Sequence, residues 1–251
     1  MAYRPDRDLE FLGSIKSEDL NDLVFCLTHD KDGNVRLTEE LTNSDHYKAY
    51  APDHHRYWEM VAGEIQCFGA NTFATLFRGG KGVLYREVLM DVCDKMKVNY
   101  NQDSSVTMIE SNLLMKILKD AIEKMTPEEL KQLAEATGIE NSSSLNSQMI
   151  LGVFQTVFRV GGFQSYQLTL IIVNAVMKAL IGRGLSFAGN AALTRTMAVL
   201  TGPIGWVITG LWTAIDIAGA AYRVTIPAVI QVAALRQKYL YGNQAQKVSF
   251  R

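Results

Sequence analysis

The charge of this chain is divided between its two halves, and that division restricts its folds more than any other feature. Residues 1–140 carry 25 acidic and 16 basic side chains, a net of −9, whereas residues 141–251 carry 1 acidic and 9 basic, a net of +8. The net of −1 for the whole chain conceals this split. The second half, poor in acids and rich in Gly and Ala, has little polar surface of its own. It must therefore bury itself against the acidic half, against other copies, or in a bilayer. With 251 residues, 48% of them hydrophobic, a sizeable core forms without disulfide or metal support. Cys26, Cys67 and Cys93 make no close pair and no CxxC knuckle, which fits a reducing compartment. The charged opening MAYRPDRDLEFLGS lacks the apolar run of a signal peptide, so a cytoplasmic location is expected.

Apolar spacing predicts an all-α chain, a multi-helix bundle with no alternating strand pattern longer than a few residues. Ser17 reads as an N-cap followed by Glu18 and Asp19, where carboxylates suit the helix dipole. Leu20, Leu23, Val24 and Leu27 then mark one buried helical face. The run Asp30-Lys31-Asp32-Gly33-Asn34 stops that helix. Further helices are expected over 38–50, 53–77, 83–98 and 105–124, and another from Thr126-Pro127-Glu128-Glu129 to Gly138. A polar, Ser-rich connector spans 141–147. These breaks divide the chain into a short N-terminal helical interaction module (1–50), an acidic helical domain (51–140) and an apolar basic helical region (148–240).

That last region holds apolar stretches at 168–181, 196–215 and 224–235. Residues 196–215, TMAVLTGPIGWVITGLWTAI, are uncharged over about the length a helix needs to cross a bilayer. Small residues recur every four positions at Gly184, Ala188 and Ala192 and again at Gly210, Ala214 and Ala218, candidate faces for close helix packing. Gly202, Pro203, Gly205 and Gly210 weaken the segment as a span, and the charges of Lys178, Arg183, Arg195, Asp216 and Arg223 flank it. A bilayer hairpin and a buried core hairpin both stand as readings. Arg195, Asp216 and Arg223 form a candidate buried charge cluster. The net +8 of this half favours peripheral contact with anionic lipid over constitutive insertion.

Motifs of known chemistry fall short. Asp30, Asp32 and Asn34 match three positions of a calcium loop, but Val35 stands where Gly is required and Leu41 where a bidentate Glu is required. Arg78-Gly79-Gly80-Lys81-Gly82 lacks phosphate-loop spacing and follows a helix. Its exposed amides beside Arg78 and Lys81 make it a candidate anion or lipid contact. His46, His54 and His55 lack a zinc spacing, and no nucleophile motif exists, so neither a metal, a cofactor nor a catalytic residue is expected. The basic residues form no stripe, which argues against nucleic acid as a partner.

Three segments resemble one bacterial family, the YaaW-like proteins: AYRPDRDLEFLGSIKSEDLNDLVFCLTHDKDGNVRLTEEL, EIQCFGANTFATLFRGGKGVLYREVLMDVCDKMKVNY, and LIGRGLSFAGNAALTRTMAVLTGPIGWVITGLWTAIDIAGAAYRVTIPAVIQVAALRQKYL. The resemblance covers nearly the whole chain. It implies a distant likeness of the middle region to ubiquinol–cytochrome c chaperones, and it brings no catalytic residues. The expected function is a non-enzymatic, membrane-proximal helical protein, an assembly factor or chaperone. It would act by contact with a protein partner or by self-association at the inner face of the cytoplasmic membrane. One alternative is a membrane-inserting, pore-forming effector of bacterial conflict, held soluble by its acidic half. A second is an enzyme using Arg78, Lys81, His54 or His55.

Overall fold

The computed structural model describes residues 3–30, 32–36, 40–69, 82–136, 146–186, 205, 210 and 221–242. The all-α expectation holds: among the described residues the regular structure is helical, apart from one isolated bridge between His29 and Val35. The helices are α1 (Ser17–Thr28), α2 (Asp45–Tyr50), α3 (Trp58–Gly69), α4 (Tyr85–Lys95), α5 (Val106–Ile122), α6 (Pro127–Ala136), α7 (Ser147–Val160), α8 (Gly162–Ile181) and α9 (Tyr222–Tyr241). Short 3-10 turns occupy Glu10–Ser14 and His54–Tyr57.

Local chemistry sets most of these boundaries. Thr126 and Glu129 form a reciprocal cap on α6: the Thr126 amide donates to Glu129 Oε2 at 2.8 Å, and the Glu129 amide donates to Thr126 Oγ1 at 3.3 Å. Ser105 caps α5 and Asn146 caps α7, each accepting from an amide in the first turn. At the stop after α1, Asp30 Oδ1 accepts from the Asp32 and Asn34 amides at 2.9 Å, so this carboxylate serves a polar turn.

Three boundaries differ from the sequence reading. Ser17 is the first residue of α1, and its hydroxyl is engaged by Asp53 and by the His55 amide, so a long-range tie replaces the expected cap. The helix expected from residue 38 begins only at Asp45, because Ser44 accepts from the Tyr47 amide at 3.1 Å and sets a new start. The helix expected from residue 53 opens as a 3-10 turn and becomes α-helical at Trp58.

The centre of the bundle is α9. Every residue from Val224 to Gln237 is buried, so this helix has no solvent face over almost four turns. It packs on α8 most extensively, and also on α1, α3, α4 and α5. The two helices run antiparallel, with Ser165 donating to Gln237 Oε1 at 3.3 Å and Gly161 beside Tyr241. Gly161 has a φ of +74°, and a Cβ there would stand 2.8 Å from the Tyr241 hydroxyl. One apolar core runs from Leu9 through α1, α4, α5, α8 and α9 to Leu235, so residues of the acidic half and of the basic half pack against each other. By length and composition α8 is the one described helix apolar enough to cross a membrane, yet 78% of that stretch lies inside the protein. The apolar segment 196–215, read as either a bilayer or a buried core hairpin, lies outside the described residues, apart from Gly205 and Gly210.

Candidate functional site

Where the two halves meet, acids of the first half hold the ends of α8 and α9. Asp22, only 2% exposed on α1, accepts from Arg183 Nη2 at 2.9 Å and from the Ser186 amide and hydroxyl at 2.7 and 2.8 Å. The Arg183 guanidinium also lies 4.2 Å over the Phe25 ring. One turn earlier on α1, Asp19 pairs with Lys238 of α9.

The third tie is the most deeply buried. Glu110 of α5 accepts from Arg236 Nε at 2.8 Å and from the Tyr85 hydroxyl at 2.7 Å. Arg236 Nη2 donates onward to the Asp8 carbonyl at 2.6 Å, and the guanidinium lies 4.4 Å over the Phe11 ring. Burial pushes the Glu110 carboxyl up, and the Arg236 charge draws it part of the way back. Burial also opposes the guanidinium, but Glu110, Tyr85 and Asp8 together outweigh it, so Arg236 stays charged. The segment before the first 3-10 turn is fastened by the same network. Gln66 brackets the Arg4 backbone, accepting from its amide at 3.0 Å and donating to its carbonyl at 2.9 Å, while the Tyr85 amide donates to Asp6 at 2.7 Å.

Sequence reasoning passed over this seam. It noted Asp19 as a helix-dipole acid and Arg183 as a flanking charge, and it left Asp22, Glu110, Arg236 and Lys238 unremarked. The available signal was Glu110 itself, a carboxylate set within the apolar spacing of Ile109, Leu113 and Ile117.

Of the residues singled out from sequence, Arg78, Gly79, Gly80 and Lys81 lie outside the described residues, as do Ala188, Ala192, Ala214, Ala218, Arg195 and Asp216. Gly184 falls in the irregular turn after α8 and not on a helical face. A Cβ at Gly184 would stand 2.4 Å from Asn174 Oδ1, the atom that accepts from the Leu185 amide, so this glycine serves a close turn. Gly210 is helical and exposed. Arg223 stands exposed in the first turn of α9, and its charge adds to burial in holding the Arg36 guanidinium below its ordinary value.

His54 and His55 serve the fold, and His46 stands exposed on α2. His55 places Nδ1 3.2 Å from the Ile15 carbonyl, and His54 is buried with Nδ1 against the Tyr57 hydroxyl. Burial lowers the His54 pKa below 6.5, with Asp53 opposing. The unfolded chain therefore takes up this proton first, so the contribution of neutral His54 is complete above pH 6.5 and is lost as pH falls below it. A His54→Gln variant is expected to flatten the acid side of a plot of melting temperature against pH, measured by circular dichroism.

A groove of about 570 Å³ lies between α5 and α7, reached also by the turn after α4. Val98 and Phe158 form its floor, with Met108 and Met115 alongside. Lys97, Lys116, Lys119 and Arg159 also line it, and among the described residues no acid does. Lys97 has a φ of +55°, two residues past the end of α4, where the Val98 amide reaches back to the Cys93 carbonyl at 2.8 Å. Glycine is the usual occupant of such a position, and another L-residue costs about 1–2 kcal/mol there. A smaller hollow of about 330 Å³, lined by Glu40, Leu41, Asn43, Ser44, Met60 and Glu64, has the opposite charge character.

Residues 3–37 match the model of a domain of unknown function, and residues 53–230 match that of the ubiquinol–cytochrome C chaperone family. The chain is 53% identical over 247 residues to a UPF0174 protein of Helicobacter pylori strain J99, covering 98% of this chain and 97% of that one. It is 44% identical over 206 residues to a UPF0174 protein of Helicobacter pylori strain 26695, covering 80% of this chain and 98% of the relative. The UPF0174 protein YaaW of Escherichia coli K12 is 32% identical over 239 residues, 94% of this chain and 95% of the relative. No solved structure is a significant match.

Proposed function

Because the chain belongs to the UPF0174 family, and its residues 53–230 to the ubiquinol–cytochrome C chaperone family, we propose that it is a non-enzymatic, chaperone-like assembly factor. In this reading it holds a protein partner during assembly, in the cytoplasm at the inner face of the cytoplasmic membrane. The observation that carries the reading is the open α5–α7 groove, whose apolar floor and methionines suit a protein surface better than a small substrate. Exposed Met149, Val153 and Val160 on α7 add apolar surface nearby.

The test is cell-free synthesis of a hydrophobic subunit of a ubiquinol–cytochrome c complex with and without the purified full chain. A soluble, stoichiometric complex that forms without nucleotide turnover supports the reading. Unchanged aggregation of the subunit overturns it. Cell fractionation tests the location: recovery with membranes and release by high salt supports surface attachment, and recovery in the soluble fraction alone overturns it.

A second reading is favoured by the charged seam. Asp19, Asp22 and Glu110 hold the ends of α8 and α9, as an acidic half restraining a membrane-active hairpin would. Release of the chain from membranes by detergent alone would favour this reading over the first.

A further inference from the structure

We infer that the α5–α7 groove binds an acidic amphipathic helix of the partner protein, with Lys97 and Arg159 taking its carboxylates and Met108, Met115 and Phe158 its apolar face. This rests on the chaperone-like reading and names the chemistry of the partner. Four lining cations are not equivalent. Lys116 is paired with Asp120 and Lys119 with Glu123, each one turn along α5. Lys97 and Arg159 have no acidic partner among the described residues, so their charge is available to a ligand. Among the described residues the groove therefore presents two cations without an acidic partner, and the carboxylates of Asp120 and Glu123 are engaged by Lys116 and Lys119, although the groove is built largely on the acidic half of the chain.

Its shape points to a helix. Met108, Asn112, Met115 and Lys119 follow one another at i, i+4, i+7 and i+11 on α5, a straight stripe of about 16 Å or three turns. The facing wall is another helix, α7, so a third helix lying in the cleft meets ridges on both sides. Methionine suits such a cleft because its unbranched side chain repacks around different apolar faces. Asn99, Asn112 and Gln155 offer amide groups to the polar flank of a polypeptide, which an acyl chain does not use.

The backbone of Lys97 supplies a clean test. Glycine is the relaxed occupant of its left-handed conformation, so Lys97→Gly removes the charge without weakening the fold. The probe is a fluorescein-labelled peptide of about four helical turns, with leucines along one face and glutamates flanking them. Its controls are the same peptide with lysines in place of the glutamates, and a scrambled order. Fluorescence anisotropy on the full chain is expected to give binding in the micromolar range for the acidic peptide and about tenfold weaker binding for both controls. The affinity should fall on raising the salt from about 50 to 300 mM. The Lys97→Gly, Arg159→Gln double variant should lose about tenfold in affinity while its thermal midpoint stays level or rises.

Equal affinity for the acidic and lysine peptides, or unchanged affinity in the double variant, overturns the inference. So does flotation with anionic vesicles that the double variant abolishes while the acidic peptide fails to bind, which would assign the cations to lipid headgroups. Failure to bind the acidic peptide by a chain that still holds a subunit in solution removes this inference and leaves the chaperone-like reading standing.

Discussion

Replacing Glu110 with alanine is expected to remove about 3–5 kcal/mol of folding stability. Arg236 is 8% exposed, and in that variant it would keep the Asp8 carbonyl and the ring of Phe11 but lose its counter-charge. The Tyr85 hydroxyl, fully buried, would lose its carboxylate acceptor in the same step. Arg236→Ala should cost a similar amount by leaving the carboxylate alone. Changing Glu110 and Arg236 together to methionine removes both charges at once, and is expected to recover most of the loss, to within about 1–2 kcal/mol of the wild type. Urea denaturation followed by tryptophan fluorescence reads all three, since Trp58 packs against Tyr3 in the segment that Gln66 and Tyr85 fasten. A double variant no more stable than the singles would show that the pair has a role in specifying the packing that apolar side chains cannot replace.

The second large effect is expected at Asp22. Its alanine variant should lose about 1–2 kcal/mol, the worth of the charge-assisted hydrogen bonds that the buried carboxylate accepts, since the donors of exposed Ser186 turn to water in the variant. The ion pair itself adds less, because the Arg183 side chain is 42% exposed and solvent screens it. Asp22→Asn keeps one acceptor oxygen and should lose about half as much. Hydrogen exchange separates the local from the global part: the Ser186 amide should exchange markedly faster in Asp22→Ala even where amides at the centre of α9 do not. Unaltered exchange at Ser186 would mean that this contact is not what holds the end of α8.

Short-range chemistry was readable in the sequence and long-range chemistry was not. The reciprocal cap of Thr126 and Glu129, the Leu20, Leu23, Val24 and Leu27 face, and the polar turn at Asp30 depend on residues a few positions apart, and each stands where the spacing put it. Ser17 shows the limit. Its residue type suits a cap, but a hydroxyl satisfies few partners, and Asp53 and His55 claim it from 36 and 38 positions away. The start of α8 was missed for a related reason. Ser165 and Gln167 interrupt the apolar run, yet Ser165 is fully buried because Gln237 meets it from the neighbouring helix. The groove left no trace as a motif either, since its residues come from the turn after α4 and from two helices far apart in sequence. The apolar second half was read as seeking either a bilayer or a protein core, and for α8 and α9 the core is the first half of the same chain.

The contacts of α9 also set an order of events during synthesis. Arg236 reaches the Asp8 carbonyl across 228 positions, and Lys238 reaches Asp19 across 219. The segments around Asp8 and Asp19 leave the ribosome long before their partners exist, and α1 emerges with a buried face that nothing yet covers. Loop closure over such distances comes late and slowly. The nascent chain must therefore wait, partly open, until its last described helix inserts into the middle of what has already collapsed. Slow translation or truncation before residue 236 would strand it in that open state.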